Sequence, residues 1–158
     1  MEPLLILRTR GCPMDDLIAE VAAEGRHADL LIWLRNDNAC AWEESTLDGA
    51  ARGGHLDLMQ LLRSGGCPWD PMICAAAAAD RQLQALCWLH ENGCPWTAST
   101  CTSAADNEHL EVLDWARGNG CSWSVATCEA AAGGGTWRAS NGFARTAARR
   151  IAELSPPL

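Results

Sequence analysis

Residues 40–66, CAWEESTLDGAARGGHLDLMQLLRSGG, run directly into 67–93, CPWDPMICAAAAADRQLQALCWLHENG, and then into 94–120, CPWTASTCTSAADNEHLEVLDWARGNG. Laid over one another, the three stretches agree column by column at a period of 27. Each opens on Cys-x-Trp: Cys40-Ala41-Trp42, Cys67-Pro68-Trp69, Cys94-Pro95-Trp96. Another copy begins at Cys121-Ser122-Trp123. A displaced one, Cys12-Pro13-Met14, lies 28 residues before Cys40, with Ala39 as the extra residue in a loop. So many columns agreeing at one spacing marks a repeat architecture, in which one small unit is stacked on its copies.

Counting each unit from its Cys as position 1, the columns acquire local physical meaning. Position 4 (Asp15, Glu43, Asp70, Thr97, Ser124) is a helix N-cap, where a short side-chain oxygen accepts from a free amide of the first turn. Glu43 is its weak member. Pro71, directly after Asp70, suits the first helical position, where a missing N–H costs nothing. A first helix then runs to about position 12, through position 8 (Ala19, Leu47, Cys74, Cys101, Cys128) and position 11 (Ala22, Ala50, Ala77, Ala104, Ala131). Gly53-Gly54, Asp80-Arg81 and Asn107-Glu108 break it. A second helix starts near position 16 (His27, His55, Gln82, His109) and carries apolar residues at helical spacing, as in Leu56, Met59, Leu62 and in Leu110, Leu113. Position 27 (Asn38, Gly66, Gly93, Gly120) permits the left-handed conformation that ends a helix, and Pro68 and Pro95 prevent its resumption. The fold class expected is all-α, built of helix–turn–helix units.

Helices of roughly 8–10 residues are marginal alone in water and persist only by stacking. Two columns of large residues offer the cohesion: the Trp of position 3, and position 22 (Trp33, Leu61, Trp88, Trp115). Burying a Trp is worth on the order of 4–6 kcal/mol as an upper bound. Both columns are therefore expected to lie hidden between units, together with the thiols of position 1.

The stretch Ala50-Ala51-Arg52-Gly53-Gly54-His55-Leu56-Asp57-Leu58 resembles the Ala-Ala-x-x-Gly-His-Leu-Glu-Val centre of ankyrin repeats. Ala104-Ala105-Asp106-Asn107-Glu108-His109-Leu110-Glu111-Val112 keeps that pattern except for the Gly, and Ala22-Ala23-Glu24-Gly25-Arg26-His27 is a looser match. The likeness covers roughly residues 4–135. The unit here is shorter than the ankyrin repeat of about 33 residues. The shortfall lies between helix pairs, where ankyrin repeats carry a β-hairpin finger. The fingers are thus expected to be reduced to Cys-Pro-Trp turns or missing. The Thr-Pro-Leu-His tetrapeptide is also degenerate, as Ser45-Thr46-Leu47-Asp48 and Ser99-Thr100-Cys101-Thr102. The resemblance implies a solenoid that binds a protein partner on its concave first-helix face.

The expected organisation is an array over 1–135, with a partial unit at 1–11, repeats near 12–39, 40–66, 67–93 and 94–120, and a partial unit at 121–135. A divergent segment, 136–158, follows. Leu4-Leu5-Ile6-Leu7-Arg8 aligns with positions 20–24, so the chain is expected to begin inside a second helix. Gly133-Gly134-Gly135 replaces the turn at the other end. Residues 144–154 suit a final helix with Ala147, Ile151 and Leu154 on one face, partly capping the stack before Ser155-Pro156-Pro157. A piece of a longer array, or an array shortened at both ends, fits these boundaries.

The formal charge is −8, and all twelve basic residues are Arg. Up to Gly135, eight Arg stand against nineteen acids, which leaves −11. So acidic a body repels phosphate backbones, disfavours nucleic acid, and suits a basic protein surface. No stretch of about 18 apolar residues is present to span a membrane, and the N-terminal apolar run is too short for a signal peptide. An intracellular setting, cytoplasmic or nuclear, is expected. Of the nine Cys, Cys40, Cys67, Cys94 and Cys121 read as small apolar packing residues of one column, and Cys74, Cys101 and Cys128 as a second. No pair has zinc-type C-x₂-C spacing, and equivalent residues of stacked repeats lie about 10 Å apart, beyond disulfide reach. His27, His55 and His109 read as rings bonded to backbone in the inter-helix turn, and His90 as off-register and exposed. No G-x-S-x-G, P-loop or H-E-x-x-H motif occurs, and Glu43-Glu44 and Asp15-Asp16 suit the helix dipole.

The chain is therefore expected to be a non-enzymatic scaffold with no cofactor, no metal and no small-molecule substrate. By the ankyrin analogy, Glu44, Asp48, Arg52, Met72, Ala76, Ser99, Thr102, Asp106 and Glu129 line the partner-binding face. The alternatives are a thiol-rich metal or redox protein, or a fragment of a larger repeat-bearing enzyme or ubiquitin-ligase component.

Overall fold

A computed structural model of the chain describes residues 16–36, 41–122 and 124–133. Among them are nine α-helices and no strand: α1 (Asp16–Glu24), α2 (Ala28–Asn36), α3 (Glu44–Arg52), α4 (Leu56–Ser64), α5 (Pro71–Ala79), α6 (Leu83–Glu91), α7 (Ala98–Asp106), α8 (Leu110–Gly118) and α9 (Val125–Gly133). The protein is all-α over this span. Odd-numbered helices are the first helices of the 27-residue units, and even-numbered ones are the second. The readings placed on residues 1–15, on Asn38, Ala39 and Cys40, on Trp123, and on 144–154 lie outside the described residues. Among the described residues no helix is long and apolar enough to cross a membrane.

Capping follows the position-4 column. Asp70 Oδ1 accepts from the amides of Met72 (2.8 Å) and Ile73 (3.3 Å), Thr97 Oγ1 from Ser99 (3.3 Å), and Ser124 Oγ from Thr127 (3.2 Å). Glu43 makes no side-chain cap. Its own amide donates instead to Thr46 Oγ1 at 3.4 Å, as the Ser124 amide does to Thr127 Oγ1. Position 7 thus supplies half of a reciprocal cap.

Both kinds of helix end in the same way. At the ends of first helices, Arg26, Gly54, Arg81 and Glu108 (position 15) have φ of 59–69°. At the ends of second helices, Gly66, Gly93 and Gly120 (position 27) have φ of 78–86°. In each case the left-handed residue donates its amide three residues back, as Gly93 does to His90 O, and the next residue donates five back, as Cys94 does to Leu89 O at 2.9 Å. This double bond is the Schellman motif. It defines two special positions just past the helix ends. Position 16 holds His or Gln, and position 1 holds Cys.

The core comes from four columns of the first helix and three of the second. Positions 7, 8, 11 and 12 are buried, as Thr46, Leu47, Ala50 and Ala51 in α3 and Thr100, Cys101, Ala104 and Ala105 in α7. Positions 19, 20 and 23 are buried, as Leu58, Met59 and Leu62 in α4 and Val112, Leu113 and Ala116 in α8. The expectation of hidden indole columns is corrected here. Trp33, Trp88 and Trp115 of position 22, and Trp42, Trp69 and Trp96 of position 3, are only half-buried. Helical phase explains this, because positions 20 and 23 take the inward face and position 22 falls at its rim.

The chain divides into two compact units, Met1–Trp69 and Asp70–Leu158. The division falls inside the unit 67–93, between its Cys-Pro-Trp turn and its N-cap. In the first unit α3 packs on α1, and each packs on its own second helix. The contact is close at Gly49 (position 10), where a Cβ would stand 2.3 Å from the Glu20 carbonyl oxygen. In the second unit α7 packs against both α5 and α9, while α5 and α7 hold α6 and α8.

Candidate interaction surface

The residues just past the helix ends bind one repeat to the one before it. His55 Nε2 donates to the Glu24 carbonyl, and His109 Nε2 to the Ala79 carbonyl, both at 2.8 Å. Each carbonyl lies in the last turn of the preceding first helix, where α-helical partners run out. The ring therefore bonds to the neighbouring unit and not to its own turn, which refines the sequence reading. Replacing His109 by alanine removes the bond and leaves a carbonyl short of a donor. A loss of about 1–2 kcal/mol is expected in urea unfolding followed by circular dichroism.

Thiols form the second series. Cys67 Sγ donates to Glu43 O (3.0 Å), Cys94 Sγ to Asp70 O (3.6 Å) and Cys121 Sγ to Thr97 O (3.3 Å). All three acceptors are N-cap carbonyls of the preceding first helix. All three cysteines are buried. Burial pushes the Cys67 thiol up to about 11. The Cys74 thiol is raised by hydrogen bonding with Cys94 and then by burial, and that of Cys101 by Cys121 and then by burial. Cys121 is lowered, because Cys101 donates to it.

Outside the core runs a third series, between position 24 and position 3. Position 24 of one repeat stacks on the position-3 indole of the next: Arg35 over Trp42 (4.2 Å), Arg63 over Trp69 (3.9 Å) and His90 on Trp96 (4.1 Å, 21° between planes). His90 is thus in register, in a column otherwise filled by Arg35, Arg63 and Arg117. It is half-buried, with Trp115 meeting it and Trp96 edge-on at 5.8 Å. The earlier reading of an off-register, exposed His90 is corrected. The signal was present: cation and ring share one period, and a guanidinium or an imidazole packs flat on an indole.

The residues proposed from sequence to meet a partner are placed unequally. In the first unit Glu44 and Arg52 are exposed. Asp48 is half-buried, paired with Arg52 Nε at 2.8 Å. In the second unit Asp106 and Glu129 are exposed, as is Met72 at 59%. Ser99 is half-buried, its hydroxyl bonded to Thr97 Oγ1. Ala76 and Thr102 are corrected. Ala76 is 6% exposed and belongs to the packing. Thr102 Oγ1 donates to Ala98 O and meets Thr127 Oγ1 at 2.8 Å, so it joins α7 to α9. Four apart on one helix means one face only where the neighbouring helix leaves that face open, and close packing covers Ala76 and engages Thr102 while Glu129 stays exposed.

Among the described residues no group of three or more His, Cys, Asp or Glu side chains could hold a metal ion. Comparison of the chain with models of known protein families and with curated proteins finds no match to either.

Proposed function

We propose that the chain is an ankyrin-like helical-repeat scaffold that binds a protein partner on the open face of its first helices. The observation that carries this reading is the bonding scheme. Buried thiols and half-buried imidazoles fasten repeats together through backbone carbonyls, and these bonds do not engage outer side chains such as Glu44, Asp106 and Glu129. The −8 formal charge favours a basic partner surface. An intracellular setting and the absence of enzymatic activity belong to the same proposal.

Asp106 is the position of choice for testing it. It is exposed in the last turn of α7, where a cation suits the helix dipole and folding should be unharmed. Asp48 is less informative, since its reversal also breaks the Arg52 pair. Partners of the full chain are identified by affinity capture from its native cells and mass spectrometry. Asp106→Arg is expected to weaken capture several-fold with an unchanged helical spectrum and melting midpoint. Equal capture by the variant would remove the face from the proposal.

A further inference from the structure

We propose that Cys74–Cys94 and Cys101–Cys121 are two latent disulfides, closed by a low-molecular-weight disulfide such as oxidised glutathione, each bolting a first helix to the start of the next repeat. The pairing follows from geometry. Cys94 and Cys121 stand at position 1, and their sulfurs rest on the position-4 carbonyls of Asp70 and Thr97. The helix ladder brings the position-8 amide to that same position-4 carbonyl, as Leu47 N to Glu43 O (3.4 Å) and Cys128 N to Ser124 O (3.3 Å). A thiol seated on the cap therefore has the position-8 side chain beside it. In the second unit that side chain is Cys74 or Cys101, and the raised thiols of both accord with a neighbouring sulfur. In the first unit it is Leu47, and Cys67 sits alone against it. Equivalent positions of stacked repeats lie too far apart for a disulfide, whereas these two thiols belong to different columns that meet at one cap.

All four cysteines are buried, but Cys74 and Cys101 lie inside helices whereas Cys94 and Cys121 lie in connectors, whose local opening admits the disulfide. Exchange enters through the connector cysteine. At Cys121 the thiolate attacks one sulfur of the glutathione disulfide, forming a mixed disulfide. It expels one glutathione thiolate, which takes up the proton Cys121 lost. Cys101 then gives up its proton and its sulfur attacks the Cys121 sulfur. The protein disulfide forms, and the second glutathione thiolate leaves and is protonated. Two protein thiols are oxidised, and one glutathione disulfide is reduced to two thiols. The lowered Cys121 thiol favours this order at that pair. The first unit, with leucine in place of the second thiol, has no such bolt at Cys67.

The test uses the full native chain, incubated in oxidised glutathione, quenched by alkylation and mapped by mass spectrometry after proteolysis. Intramolecular Cys74–Cys94 and Cys101–Cys121 bonds are expected, each costing the chain two hydrogens, with the thermal midpoint raised by at least about 5 °C. Cys101→Leu copies the arrangement that Leu47 already provides, so it should fold. It is expected to lose the second bond and keep the first. Glutathione adducts without these two bonds, or bonds between scrambled partners, would overturn the proposal.

Discussion

Gly49→Ala is expected to destabilise the first unit by about 2–3 kcal/mol, the opposite sign from helix propensity. Glycine within a helix costs roughly 0.5–1 kcal/mol relative to alanine, so propensity alone predicts a gain. The added methyl, however, would meet the Glu20 carbonyl oxygen at 2.3 Å and its carbon at 3.0 Å. Those atoms are backbone and cannot rotate away, so α3 would have to move off α1. Gly118→Ala is the control, because it is helical and a Cβ there meets nothing within 4 Å. It should be neutral or slightly stabilising. Urea unfolding of both variants by circular dichroism decides the matter, and a gain at both sites would mean that α1 and α3 do not approach this closely.

Leu113→Ala is expected to cost more than Trp115→Ala, although tryptophan is much the larger residue. Leu113 is fully buried in α8. Its truncation leaves a cavity and should cost about 3–4 kcal/mol. Trp115 is half-buried, with ring contacts to His90 and Trp96 at the rim. Losing these edge contacts and part of its apolar area should cost about 1–2 kcal/mol. The ranking separates a core built on leucine and alanine from one built on an indole ladder. A larger loss at Trp115 would restore the ladder reading.

The helices were legible in the sequence because their ends are local. A cap such as Asp70 followed by Pro71, or a Gly93 past a helix, acts on neighbours a few residues away, so the residue and its cause appear together. The left-handed sites at Arg26, Arg81 and Glu108 were less legible. Only their alignment with Gly54 places them. Side-chain destinations were least legible. A column of Trp announces a shared role without saying whether that role is burial, and a 27-residue period is silent on the phase of each helix toward the core. The contacts of His55 with Glu24 and of Cys121 with Thr97 join different columns of different repeats. No inspection of a single column reveals them. Exposure along the first helices was only partly legible, because the closeness permitted by the alanines at positions 11 and 12 covers Ala76 and engages Thr102.

The bonds that fasten repeat to repeat have a kinetic meaning. Their partners are 24 residues apart for the thiols, and 30 or 31 for the imidazoles. No such contact waits for a closure longer than about one repeat, whatever the number of repeats in the row. Assembly can start at any helix pair and zip outward, at a speed set by neighbouring pairs and not by total chain length. Splicing another copy of 94–120 into the second unit should therefore lengthen the protein while leaving its folding rate nearly constant.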